Sequence, residues 1–472
     1  MRIAVVGGSA AGLLAALMLA RAGHEVLVLE RDDLAPAADV ETAAAAAFRA
    51  AAPQVIQPHV LLTAFREVMQ RRLPDVYAAL IDAGAAEAGV LSQMPPTVPD
   101  RTPEPGDERL TLLMTRRATL DWVLARVAAA EPGVEVRYGC AVTGLVTTPG
   151  EPPHVRGVRT AEGEHPADVV VDASGRRSPV DHWLEAAGAH RSHMARAECG
   201  LAYYGRQYRA RPADLPGPVT TRVVAGLREF IVGIWGGDND SMQLVVAPLA
   251  ADHRFSSARR PEVFEAVLRS VPFYAPWLDG LDPITDVGVM GGLHNTLRRI
   301  VVDGAPVASG LHTVGDSVCT TNPTFGRGLG LAAHTAADLV DALAAHPTDP
   351  VARALAIDAA VDEHVAPWYA DQAVTDAVAV ARQRHAVFGT PPPDLTPPPG
   401  ELTFRELRAA APVDAAAFRA VFRCMGMIGR PSDLYADAVL LRRVRTLLAE
   451  HPPEPMAQPS TAELERALAG PG

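Results

Sequence analysis

Gly7-Gly8-Ser9-Ala10-Ala11-Gly12 is a run of small residues set between a β-branched segment and an apolar helical stretch. In a strand-to-helix turn of this kind the first glycine makes the tight turn. A small middle residue lets the backbone approach a diphosphate, and the last glycine lets the helix close on the strand. Ser9 stands at the middle position, where glycine is usual, and is still small enough. The helix that follows offers unpaired N–H groups and partial positive charge to an anion. Glu30 ends the next strand, 18 residues after Gly12, with Arg31 beside it. A carboxylate there accepts hydrogen bonds from ribose hydroxyls and repels a 2′-phosphate. The chemistry is nucleotide binding.

Two further segments carry chemistry when read after the first. Val169-Val170-Val171-Asp172-Ala173-Ser174-Gly175-Arg176 is an apolar strand ending in a small-residue turn. Val314-Gly315-Asp316-Ser317 delivers a carboxylate at a strand end, and Asn322-Pro323-Thr324-Phe325-Gly326-Arg327-Gly328-Leu329-Gly330 then opens an alanine-rich helix. Backbone amides in such a glycine-rich turn can crowd a ligand at a second helix N-terminus. His59 and His294 are candidates to hydrogen-bond a ligand. Tyr203, Phe230 and Trp235 lie on sheet-like segments and are candidates to line an apolar pocket. The Arg298-Arg299 pair reads as a solvated edge or a contact to a nicotinamide phosphate.

Composition narrows the classes. The chain has 472 residues, is 48% hydrophobic and carries a net charge of −12, which disfavours a general nucleic-acid binder. It contains no lysine, so all 43 basic residues are arginines. That removes a Walker-A lysine, a lysine Schiff base and a lysine general base. Cys140, Cys199, Cys319 and Cys424 are far apart, with no zinc-ligand spacing and no disulfide framework, so no metal and a reducing, cytoplasmic setting are expected. Ile3–Ala20 is uncharged and mostly apolar, but Gly7-Gly8-Ser9 interrupts it. It therefore reads as strand, turn and helix rather than as a signal or membrane span.

The elements that must position these residues follow from periodicity and punctuation. Arg2–Val6, Leu13–Ala22 and Glu25–Glu30 make a βαβ unit, with Gly23 as the helix stop. Asp32–Gln57 reads as an excursion with some helix, and Val60–Gly84 as one helix. Met94–Arg109 reads as loop and Thr119–Ala130 as an amphipathic helix. From Cys199 to Leu249 the pattern changes to the alternating composition of an antiparallel sheet. After Val351 the chain is mostly helical, interrupted by two triple-proline segments and ending in a Pro-rich tail that reads as loose.

Taken together, the motifs resemble the class A flavin-dependent monooxygenases, a family of aromatic hydroxylases and natural-product epoxidases. The hexad with Glu30 matches its FAD fingerprint. Asp172-Ala173-Ser174-Gly175-Arg176 looks like its middle Asp-Gly motif with Ala-Ser inserted. Gly315-Asp316 with Pro323 and the glycine turn matches its ribityl-binding motif. Pro53-Gln54, His59 and Leu61-Leu62 are similar to an epoxidase-branch segment, with Ile56 and Gln57 as departures. Arg116 sits where the family keeps an arginine near the flavin. The likeness spans about residues 1–345.

The resemblance implies an α/β fold: a Rossmann-type FAD domain with a mixed parallel sheet (1–185, completed by 301–345), an antiparallel-sheet substrate domain (186–300) and a helical C-terminal region (346–472). It implies FAD held by Gly7, Ser9, Ala10, Ala11, Gly12, Glu30, Arg31, Arg116, Asp172, Gly315, Asp316, Pro323, Gly326, Gly328 and Leu329. NADPH or NADH would be co-substrate, and O2 and a small molecule the partners, in a monomer or homodimer. Family chemistry runs through a C4a-hydroperoxyflavin that hydroxylates or epoxidises a bulky apolar intermediate of secondary metabolism, such as antibiotic biosynthesis. A reductase or dehydrogenase of the geranylgeranyl-reductase type uses the same motifs and stays open. A halogenase would need a lysine that this chain lacks.

Overall fold

A computed structural model describes residues 1–34, 37–47, 53–452 and 454–470. A five-stranded parallel sheet has the order Leu311–Thr313, Val169–Asp172, Arg2–Val6, Glu25–Leu29, Val134–Arg137. Its central strands are continuously apolar because both faces are covered. On one face lie the helices Ala10–Arg21, Arg117–Ala130 and Gly328–Ala345, which bury Leu13, Leu17, Leu120, Ala333 and Ala336. The other face is covered by the antiparallel strands Val142–Thr148, His154–Thr160 and Gly163–Pro166, around Leu145, Val158 and Trp183.

The chain leaves this sheet after Asp172 and returns at Leu311. Between them it builds a six-stranded sheet with the path Arg222–Gly226, Phe230–Gly236, Ser241–Pro248, Tyr203–Ala210, Leu281–Pro283. Gly288–Met290 also pairs with Tyr203–Ala210. Period-two alternation divides the side chains. Tyr204, Phe230, Val232, Ile234, Leu244 and Val246 pack with helix Pro261–Arg269 into one core. Tyr203, Ile231, Val245 and Ala247 face the opposite way. A three-stranded sheet, His193–Glu198, His294–Arg299 and Cys319–Thr320, joins the two parts.

Several segments differ from the sequence reading. Val60–Gly84 is two helices, Thr63–Arg72 and Pro74–Asp82, because Pro74 cannot continue the first and starts the second. In Asp32–Gln57 a short helix, Val40–Ala45, is capped by Asp39, while residues 35–36 and 48–52 lie outside the described residues. The Pro-rich tail ends in helix Thr461–Ala469, closed by a Ser460/Glu463 capping box. Its Leu464 and Leu468 are buried in the core of the six-stranded sheet. Among the described residues no helix is long and apolar enough to cross a membrane.

Candidate functional site

A cavity of about 310 Å³ opens between the carboxyl ends of the parallel strands and the six-stranded sheet. The parallel-sheet end is lined by Gly7, Ser9, Ala11, Glu30, Arg31 and Asp316, with Pro323, Gly326, Gly328 and Leu329 beside them. Tyr203, Ile231, Trp235, Val245, Met290 and Leu293 line the far end. His59 stands between the two.

The turn at Gly7 is forced by close approach. Gly7 has φ +106°, and a Cβ on it would lie 2.7 Å from the Ala173 carbonyl oxygen. On Gly12 a Cβ would lie 1.9 Å from the Gly7 carbonyl oxygen, so the helix is packed directly on the turn. Ser9 caps helix Ala10–Arg21 without a side-chain hydrogen bond to its N–H groups. Its hydroxyl accepts instead from Arg117 Nη2 at 3.0 Å. Glu30 is buried and accepts from the backbone N–H of Gly8 at 2.7 Å and of Asp32 at 2.9 Å. Across the cavity, helix Gly328–Ala345 also begins without a side-chain cap. Two bare helix ends thus flank one groove.

Asp316 lies between them. Burial pushes its carboxyl up, against the pull of Arg117 and Arg176. Gly315, at φ +62°, turns the chain so that Asp316 meets the cavity, and a Cβ there would lie 2.5 Å from the Ala11 Cβ. An elongated nucleotide fits these features: bare N–H groups for a diphosphate, a carboxylate at each side for sugar hydroxyls, and glycines where side chains would intrude.

His59 is neutral. Burial and the charge of Arg117 push it down to about 4, so it carries no positive charge near pH 7. Its Nδ1 lies 2.8 Å from the Gln57 carbonyl oxygen, which only accepts, so Nδ1 carries the proton and Nε2 keeps a lone pair. Any pH dependence of function between about 5 and 9 is therefore expected to persist in His59→Gln; loss of a titration step in that variant, followed by flavin fluorescence, would contradict this.

Some sequence candidates do not meet the cavity. Arg116 has no exposed side-chain surface and turns away to Asp238 and Glu41. Its neighbour Arg117, the first residue of the helix, lines the cavity instead, because successive residues entering a helix point to different sides. Phe230 lies on the other face of its strand from Trp235, in the core with Phe255. His294 is half-buried beside Arg196 on a strand away from the cavity. Asp172 is buried and accepts from the Ser174 N–H and from the hydroxyls of Ser174 and Ser178, bracing the turn. Ala10 and Gly12 serve packing. Arg298 and Arg299 are bound to Asp181 and to Asp358 and Asp362, which leaves neither as a free phosphate contact.

Other interactions around the cavity were not foreseen from the sequence. Gln57 is buried at the cavity wall, and neither atom of its carboxamide has a partner among the described residues. Tyr203 donates to Asn322 Oδ1. The Asn322 N–H donates to Asn295 Oδ1 at 2.6 Å, and Asn295 Nδ2 to Asp376 Oδ2 at 2.8 Å. Burial pushes Asp376 up to about 6, while its amide donors oppose the rise. Arg327 is buried beside the glycine turn, paired with Asp371 and lying over Phe325 and Trp368, so the C-terminal helices hold that turn. Cys140, Glu162 and His165 place ligand atoms within 4.8 Å of one another, but Thr160 engages His165 Nε2.

Residues 5–49 match the NAD(P)-binding Rossmann-like domain family. Protein Rv3254 of Mycobacterium tuberculosis is 25% identical over 367 residues, covering 72% of each chain. PqsL of Pseudomonas aeruginosa, a probable FAD-dependent monooxygenase, superposes with a TM-score of 0.58 at 18% identity, over 83% of this chain and 100% of its own. A flavoprotein/dehydrogenase from Cytophaga hutchinsonii superposes with a TM-score of 0.62 at 13% identity, over 95% and 99%. The chain thus has the fold of PqsL and of the Cytophaga flavoprotein, and its residues 5–49 match the NAD(P)-binding Rossmann-like domain family.

Proposed function

We propose that the protein is an FAD-dependent monooxygenase that uses NADPH or NADH and O2 to hydroxylate or epoxidise a bulky, largely apolar small molecule. One observation carries the reading. A single cavity runs from two bare helix N-termini and Asp316 to an apolar sheet face at Ile231, Trp235 and Val245. The N–H groups after Ser9 would bind the diphosphate, Glu30 the ribose, and Asp316 the ribityl chain. Bound there, the flavin would supply hydride acceptance from the nicotinamide and activation of O2. The sheet's side chains would orient the substrate and exclude water. Tyr203, pushed well above its usual range by burial, keeps its proton and donates a hydrogen bond to Asn322 Oδ1.

The test is turnover of candidate substrates with NADPH under ¹⁸O₂. One labelled oxygen atom in the product, with the other in water, supports the proposal. The alternative, hydride transfer without oxygen, is an outcome of the same test. Product formed equally well without O2 would select it. Asp316→Ala is expected to weaken FAD about 10- to 100-fold through lost charged hydrogen bonds. Flavin content after gel filtration checks this, and full retention would remove Asp316 from the site.

A further inference from the structure

Arg222 lies on the edge strand of the six-stranded sheet, directly across from Trp235, and both side chains line the apolar end of the cavity. No carboxylate among the described residues pairs with it. Among the described residues its Nε is buried without a hydrogen-bond partner, and Nη1 reaches only Met425 Sδ at 3.9 Å. The charge that acts most on it is that of another cation, Arg408, whose Nη2 donates to the Val224 carbonyl at 2.8 Å. Burial, then Arg408, push Arg222 down to about 10, the direction a cation takes without a partner. Four other buried arginines are paired with carboxylates: Arg116 with Asp238, Arg298 with Asp181, Arg327 with Asp371 and Arg419 with Asp107.

An enclosed cation without a partner is costly, and an anionic ligand that completes the pair recovers that cost. We propose that Arg222 is the anion-recognition residue of the substrate pocket and that the substrate is a bulky apolar acid whose carboxylate docks on it. The guanidinium fork matches a carboxylate through two parallel N–H bonds. Val224, Ile231, Val245 and Trp235 then receive the hydrocarbon body, which extends from Arg222 toward the Pro323–Gly328 turn. The inference rests on the reading of the cavity's other end as the flavin groove.

The test uses the full-length, flavin-loaded protein with 2-naphthoate and anthracene-9-carboxylate, each beside its primary amide. On wild type the acids are expected to raise the melting temperature more than the amides and to bind about tenfold tighter by calorimetry. Arg222→Met is expected to erase that preference with flavin content unchanged, and Arg222→Lys to keep part of it. Because Arg222→Met removes an unpaired charge, its unliganded melting temperature is expected to equal or exceed that of wild type. Equal effects of acids and amides on wild type, or an acid preference that survives Arg222→Met, would overturn the proposal. Flavin absorbance on the same samples separates the two readings. Full flavin without acid preference defeats only the anion site, and acid preference in flavin-free protein defeats only the flavin reading.

Discussion

Gly12→Val is expected to purify as a folded but colourless protein. The new side chain would begin 1.9 Å from the Gly7 carbonyl oxygen, and that oxygen cannot yield. Gly7 is fixed by its N–H bond to the Leu29 carbonyl at 2.9 Å and by its close approach to Ala173. Helix Ala10–Arg21 would have to move off the turn, taking its free N–H groups away from the diphosphate position. Overpacking of this kind costs about 3 kcal/mol, which is about 100-fold in affinity. Visible flavin absorbance against far-ultraviolet circular dichroism checks the outcome. A fully yellow variant would mean that the groove does not hold the cofactor at this turn.

Asp238→Ala is expected to be the most destabilising change among the ion pairs. Arg116 immediately precedes a helix of the parallel-sheet part, and Asp238 sits in a turn of the six-stranded sheet; both side chains are fully buried. Asp238 accepts from Arg116 Nε at 3.0 Å, Nη2 at 2.6 Å and the backbone N–H at 2.6 Å. Burial pushes the Asp238 carboxyl up, but the Arg116 guanidinium prevails and holds it below the usual range. Removing it leaves a buried guanidinium with only the half-exposed Glu41, at a cost of about 3–5 kcal/mol. Because the folded-state pKa is depressed, this stability is present above the ordinary aspartate range and is lost as pH falls below that range through the folded-state value. The difference in urea midpoint between wild type and variant is expected to be larger at pH 7 than at pH 3. Equal midpoints at pH 7 would show that the pair does not join the two parts.

What the sequence disclosed follows from what each residue must satisfy locally. Gly7, Gly12 and Gly315 were legible because no other residue tolerates those contacts or that backbone, and Glu30 and Asp316 because strands end at fixed offsets from them. Arg116 and Arg117 are adjacent and chemically identical, so only the helix entry angle separates a structural cation from one at the cavity. Phe230 and Trp235 are a readable case that was misread: five residues apart on one strand, they must lie on opposite faces. Pro74 and the Ser460–Glu463 capping box were equally readable signals. Asn295, Asn322 and Asp376 carry no such mark. They lie on different elements, and only tertiary packing brings their amides and carboxylate together.

The strands Val169–Asp172 and Leu311–Thr313 are hydrogen-bonded neighbours, with Val170 opposite Leu311. The long excursion between them therefore leaves and re-enters the parallel sheet one strand spacing apart, about 4.8 Å. Such closely set attachment points make the excursion a replaceable cassette. A related sheet with other pocket residues could be grafted there without disturbing Gly7, Glu30 or Asp316, and ligand choice could diversify while the nucleotide groove stayed constant. The graft would have a fixed requirement. Any replacement must carry an acidic residue where Asp238 stands, or Arg116 would be left buried without its main partner.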